Sequence, residues 1–114
     1  MIHSGSCHCA AIAFDVEADI KDVISCNCSM CRRKGSLLAF VPRDKLTLKT
    51  PESAISTYRF NKQVIQHHFC AVCGISPFAE AEGPNGPAVA INVRCLPDVD
   101  LEALTIRNHD GANA

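Results

Sequence analysis

Apolar and polar positions alternate along this chain in short runs. Ile12, Phe14 and Val16 alternate with Ala13 and Asp15 across residues 11–16, the period of a strand with one buried face. Val23-Ile24 leads as a short strand into Cys26, and the apolar run 36–41 predicts a buried strand ended by Pro42. Residues 46–49 and 57–60 add short strands rich in β-branched or aromatic side chains. Asn61-Lys62 predicts a tight turn into a further strand over 63–69, which makes a hairpin. Gly83-Pro84-Asn85-Gly86-Pro87 predicts a loop, followed by a strand over 88–93. Helical signals are weak, with one or two turns expected in 98–104 and one in 51–54. The pattern predicts a mainly β fold of many short strands with little helix.

Composition adds to this picture. At 47% hydrophobic and 20% charged residues the chain is globular rather than disordered, and its 114 residues suit one domain, 1–114 with a core over about 4–110. Lys plus Arg is 11 and Asp plus Glu is 12, a net charge of 11 − 12 = −1, which lacks the electrostatic footprint of a nucleic-acid binder. No run approaches the roughly 18–20 apolar residues that span a bilayer, so no membrane partner is expected. The opening Met1-Ile2-His3-Ser4-Gly5 has neither the basic nor the apolar region of a secretory leader. The expected compartment is the cytoplasm, where thiols stay reduced.

The eight cysteines then carry the most information. They fall as Cys7-x-Cys9, Cys26-x-Cys28-x-x-Cys31 and Cys70-x-x-Cys73, with Cys95 alone. A disulfide framework scatters its cysteines, whereas tight groups are the arrangement of chelating ligands. On an extended backbone Cys7 and Cys9 face the same way. Cys70-Ala71-Val72-Cys73-Gly74 has the composition of a zinc knuckle, its glycine allowing the positive φ of the curl around a metal. Cys26, Cys28 and Cys31 can converge on one ion from a single loop. Three protein ligands with a free fourth position is the pattern of a catalytic or exchangeable zinc, of net charge 2 − 3 = −1. The basic run Arg32-Arg33-Lys34 follows directly; it either offsets that charge and holds an acidic ligand, or forms a solvated turn. Spacing alone leaves the pairing open between Cys7/Cys9/Cys70/Cys73 and a ribbon of Cys28/Cys31 with Cys70/Cys73; one metal with idle cysteines is a third arrangement. Cys95 is either a small buried hydrophobe or a fourth ligand of the open site. Arg94 precedes it, and is either a substrate-carboxylate ligand or a surface charge.

Four motifs in order resemble the glutathione-dependent formaldehyde-activating enzyme family: Ser4-Gly5-Ser6-Cys7-His8-Cys9, Cys26-Asn27-Cys28-Ser29-Met30-Cys31-Arg32, His68-Phe69-Cys70-Ala71-Val72-Cys73-Gly74 and Asn92-Val93-Arg94-Cys95. In that family the central motif often carries His after its first cysteine, where Asn27 stands here. The resemblance implies a β-tent of small antiparallel sheets pinned by zinc. It assigns Cys7, Cys9, Cys70 and Cys73 to a structural zinc, and Cys26, Cys28 and Cys31 to a catalytic one. It implies a carbon–sulfur lyase acting on a thiol–aldehyde adduct such as S-(hydroxymethyl)glutathione, with a small thiol as partner. The alternative is a non-enzymatic, zinc-stabilised binding module of the same fold. For an enzyme, a zinc-bound thiolate needs a neighbouring proton donor, for which His8, His67 and His68 are the candidates. Since His67 and His68 are adjacent on an expected strand, at most one faces the metals, leaving the other for the surface.

Overall fold

A computed structural model of the chain describes residues 1–59 and 65–113. Among these residues the strands are β1 (Ile2–Ser6), β2 (Ala13–Glu17), β3 (Asp22–Cys26), β4 (Leu38–Pro42), β5 (Leu46–Leu48), β6 (Ile55–Tyr58), β7 (Gln66–Cys70), β8 (Phe78–Gly83), β9 (Gly86–Asn92) and β10 (Thr105–His109). One short α-helix, α1 (Cys31–Lys34), and several 3-10 turns complete them, so the fold is mainly β as expected.

The strands divide into two sheets. The smaller has the order β1-β2-β5 and is antiparallel, and the larger has the order β10-β3-β4-β9-β8-β7-β6. In the larger sheet the pairing of β10 with β3 is parallel, a departure from the all-antiparallel expectation. It arises because the chain returns after β9 to lay its C-terminal strand along the outer edge of β3.

The core lies between the sheets. Ile12, Phe14 and Val16 are fully buried from the small sheet, and Val89, Ile91 and Phe78 meet them from the large one. Phe14 and Phe78 touch edge to face with ring centroids 5.7 Å apart. Burying such a side chain contributes about 1.5–3 kcal/mol, so this cluster is the main metal-independent source of stability.

Several elements differ from the sequence-based expectation. The strand expected to end before Pro42 runs through it, and Pro42 pairs with Ala88. β8 and β10 form where the sequence pattern predicted no element, and within 98–104 only Leu101–Ala103 forms a 3-10 turn. β6 and β7 pair antiparallel as the hairpin requires, while its expected Asn61-Lys62 turn lies outside the described residues. Pro84-Asn85 turns β8 into β9, with Gly83 opposite Gly86, whose φ of 112° only glycine adopts readily.

Antiparallel register decides what the outer face of the large sheet presents. Directly opposed residues share a face. Phe40 pairs with Ala90, Ala90 with Ala79 and Ala79 with His67, which makes one continuous row on the face turned away from the core. Ala81 opposite Ala88 extends it. These small side chains leave room above the sheet.

Candidate metal centres and cavity

Two groups of thiols converge. Cys7, Cys9, Cys70 and Cys73 form one, Cys26, Cys28 and Cys31 the other, and within each the sulfur atoms lie within 4.8 Å of one another. Among the described residues the ribbon pairing does not occur, and Cys95 joins neither group. All eight cysteines are free thiols.

The first group is made by two facing turns. After Cys7 the backbone curls so that the Cys7 N–H donates to the Ile12 carbonyl at 3.0 Å, with Ala10 held at φ 66°. Facing it, the Gly74 N–H donates to the Cys70 carbonyl at 2.9 Å with Gly74 at φ 80°, the left-handed turn expected there. Ile12 N–H donates to Cys7 Sγ at 3.4 Å, and the Val72 and Cys73 N–H groups donate to Cys70 Sγ at 3.4 and 3.5 Å. Such donors favour the thiolate. The Cys73 thiol is brought down to about 6, with the backbone N–H of Ile75 the largest cause. A tetrahedral zinc with four sulfurs at 2.3 Å sets them about 3.8 Å apart. Cys7 to Cys9 is 3.8 Å and Cys9 to Cys70 is 3.6 Å, so the donor set fits such an ion.

The second group comes from the end of β3 and the first turn of α1. Cys28 N–H donates to Cys26 Sγ at 3.4 Å and Cys31 N–H to Cys28 Sγ at 3.3 Å. α1 ends at Gly35, left-handed at φ 70°, whose N–H closes on the Cys31 carbonyl. The Cys31 thiol is pushed up to about 12 by burial and then by neighbouring Cys28. Close thiols resist simultaneous ionisation, and a divalent cation removes that conflict, so this set also fits a metal.

A feature absent from the sequence reading covers this second group. β10 runs beside β3 so that His109 lies opposite Cys26, and the chain then folds over the cysteines. Asn27 latches it: its side-chain amide donates to Asp110 Oδ1 at 3.0 Å, and its carbonyl oxygen accepts from Ala112 N–H at 3.0 Å. The Asn27 N–H donates to the His109 carbonyl. Gly111 sits so close that a Cβ there would stand 2.6 Å from Cys26 Sγ. The signal in sequence was Asn27 itself, but its partners are more than eighty residues away.

The second group opens onto a cavity of about 700 Å³ above the alanine row. The four candidate substrate cations are separated. Lys34 lines the cavity, whereas Arg32 and Arg33 are exposed on α1 outside the lining, and Arg33 Nη1 donates to the Ser29 carbonyl at 2.7 Å. Arg94 lies in a 3-10 turn, also outside the lining, and its Nε donates to the Gly35 carbonyl at 3.3 Å, bracing the end of α1. Burial lowers the Lys34 ammonium below its usual value, and the thiolates of Cys31 and Cys28 oppose that shift. Cys95 is buried.

Of the three candidate histidines, His67 faces the cavity and His8 is exposed beside the first group. His67 and His68 do point to opposite faces, but both are buried, so the surface position expected for one of them is corrected. His68 turns to the core, where Phe78 stacks on it edge to face, Thr57 bonds Nδ1 at 2.9 Å and Glu80 bonds Nε2 at 2.7 Å. Glu80 also pairs with Arg43. Burial alone would raise the Glu80 carboxyl, and His68 and Arg43 outweigh it and hold it below its usual value. His67 is lowered by burial first and then by Lys34, which favours the neutral imidazole. His109, at the end of β10, also lines the cavity and was missed in sequence.

The family model described as glutathione-dependent formaldehyde-activating enzyme matches residues 2–108. The fold is also similar to that of a Rhodobacter sphaeroides protein solved by crystallography as a structural-genomics target. The two are 26% identical with a TM-score of 0.78, covering 91% of this chain and 99% of that one. Among the described residues no helix is long and apolar enough to cross a membrane.

Proposed function

The chain belongs to the glutathione-dependent formaldehyde-activating enzyme family, and on that footing we propose that it is a zinc-dependent carbon–sulfur lyase acting on a thiol–aldehyde adduct such as S-(hydroxymethyl)glutathione. The observation that carries this reading is the asymmetry of the thiol groups: four sulfurs in one, and three opening on a cavity in the other. Cys7, Cys9, Cys70 and Cys73 would hold a structural zinc, and Cys26, Cys28 and Cys31 a catalytic one. A zinc held there supplies Lewis acidity that keeps a substrate thiol ionised near neutral pH, below its free value of about 8.5.

In the lyase direction the adduct hydroxyl loses its proton as the carbon–sulfur bond breaks. The bonding pair leaves with sulfur, and the carbon becomes the aldehyde carbonyl. In the reverse direction the thiolate adds to the carbonyl carbon and the alkoxide takes up a proton. His67 faces the cavity and is favoured as neutral imidazole, so it is suited to accept that proton and return it. Lys34, on the same wall, supplies a cation for an anionic group of the substrate.

The test is exchange of ¹³C-formaldehyde with its thiol adducts, followed by two-dimensional exchange NMR with glutathione and 2-mercaptoethanol. The zinc-loaded protein is expected to accelerate exchange for at least one thiol, with His67→Gln slowing it about 10²–10⁴-fold. No acceleration with either thiol would turn the reading towards a binding module.

A further inference from the structure

The cavity wall carries more chemistry than a one-carbon aldehyde requires. A hydroxymethyl group adds two heavy atoms, whereas about 700 Å³ accommodates a ligand of ordinary small-molecule size. The rest of that space is for the body of the thiol. Glutathione brings two carboxylates, an ammonium and two amides, and each needs a partner once removed from water.

Several polar side chains of the lining are already engaged: Ser76 Oγ donates to the His68 carbonyl at 2.6 Å and Asn92 Nδ2 to the Ser76 carbonyl at 3.2 Å. The cavity floor is the outer face of the large sheet, where Phe40, Ala90 and Ala79 form one row and Ala88 and Ala81 another. Phe40 and Ile65, 57% and 41% exposed, stand on its lining as apolar surface open to solvent. Lys34 is the one permanent cation on the lining among the described residues, and it makes no ion pair with a carboxylate there. Glu80, the one acid on the lining among the described residues, is already engaged by Arg43 and His68. Arg32, Arg33 and Arg94 lie outside it.

We propose that this site takes a thiol with an apolar body and a single carboxylate, the sulfur at Cys26/Cys28/Cys31, the carboxylate at Lys34 and the body on the alanine row. This deepens the lyase reading and rests on it. Charge complementarity favours this occupant, since Lys34 is the one permanent cation that the described residues place on the lining and it matches one carboxylate.

Titration calorimetry of the zinc-loaded protein with 3-mercaptopropionate, 6-mercaptohexanoate, 6-mercaptohexan-1-ol and glutathione tests this directly. Each methylene taken out of water is worth up to about a fourfold gain, so 6-mercaptohexanoate should bind on the order of tenfold more tightly than 3-mercaptopropionate. It should also exceed glutathione by at least about tenfold. Lys34→Met should erase its advantage over the neutral alcohol. Ala90→Leu, which fills the wall, should cost the six-carbon thiols most of their affinity with zinc content unchanged. If that variant does not fold, Phe40→Ala at the exposed edge should weaken the six-carbon thiols and spare glutathione. Glutathione binding as tightly as 6-mercaptohexanoate would overturn the substrate class and leave the lyase reading standing. Absence of binding by any thiol would overturn both.

Discussion

The two thiol groups use one ligand type in opposite ways. The first joins turns that are sixty-one residues apart at Cys9 and Cys70, so an ion there ties the small sheet to the large one. The second draws its three sulfurs from residues 26–31 and bridges almost no sequence. Closing a long loop removes more freedom from the unfolded chain than closing a short one. The first group is therefore built to hold the fold. The second can leave a ligand position to a visitor, because little of the fold depends on it.

The largest expected effect breaks the first group. Cys70→Ser should remove a structural ion whose binding contributes on the order of 10 kcal/mol, comparable to the whole stability of a small domain. The protein should be unfolded or insoluble by circular dichroism. A soluble Cys70→Ser variant with a native spectrum would contradict the assignment.

Next comes the same change in the second group. Cys28→Ser should lower the metal count by about one and leave the melting temperature within several degrees of wild type. Equal damage from Cys28→Ser and Cys70→Ser would erase the distinction.

Smaller still is a change beside the second group that touches no ligand. Gly111→Ala places a Cβ 2.6 Å from Cys26 Sγ, so the latched segment must move. Affinity at the second metal should fall about 10–100-fold while the first ion stays bound, as competition with a graded chelator would report. If both ions weaken together, the latch does not act locally.

The smallest effect concerns pH. His67 is lowered in the fold, so below about 6.5 the unfolded chain takes up a proton that the folded chain resists. Its contribution is intact above that value, and stability is lost as pH falls through it. Denaturation midpoints between pH 7.5 and 5.5 should drop more for wild type than for His67→Gln, the metal ligands being common to both. Parallel slopes would mean that His67 is not held neutral.

The sequence made legible what depends on local pattern. Ile12, Phe14 and Val16 are buried while Ala13 and Asp15 are half-exposed, as strict alternation requires. β8 escaped because its outward residues are small alanines that floor the cavity, and its inward acid Glu80 is stabilised by Arg43, thirty-seven residues away. β10 is exposed along its whole length and pairs in parallel with a strand some eighty residues earlier, which no local pattern encodes. The division of seven thiols into four and three was implied by family resemblance, while spacing left the pairing open. The latch from Asn27 to Asp110 and Ala112 and the place of His109 depend on that long-range pairing, so they emerged only with the fold.

The central claim, one closed and one open thiol group, is tested most directly by cobalt(II) substitution. Sulfur-to-cobalt charge-transfer absorption counts bound thiolates, and 2-mercaptoethanol in excess reports a free position. The account predicts two cobalt ions per chain and, on adding the thiol, a rise of about one-seventh as seven protein thiolates gain an eighth. The rise should vanish in Cys28→Ser, which keeps one cobalt. Absence of a rise in wild type, or its persistence in Cys28→Ser, would contradict the account.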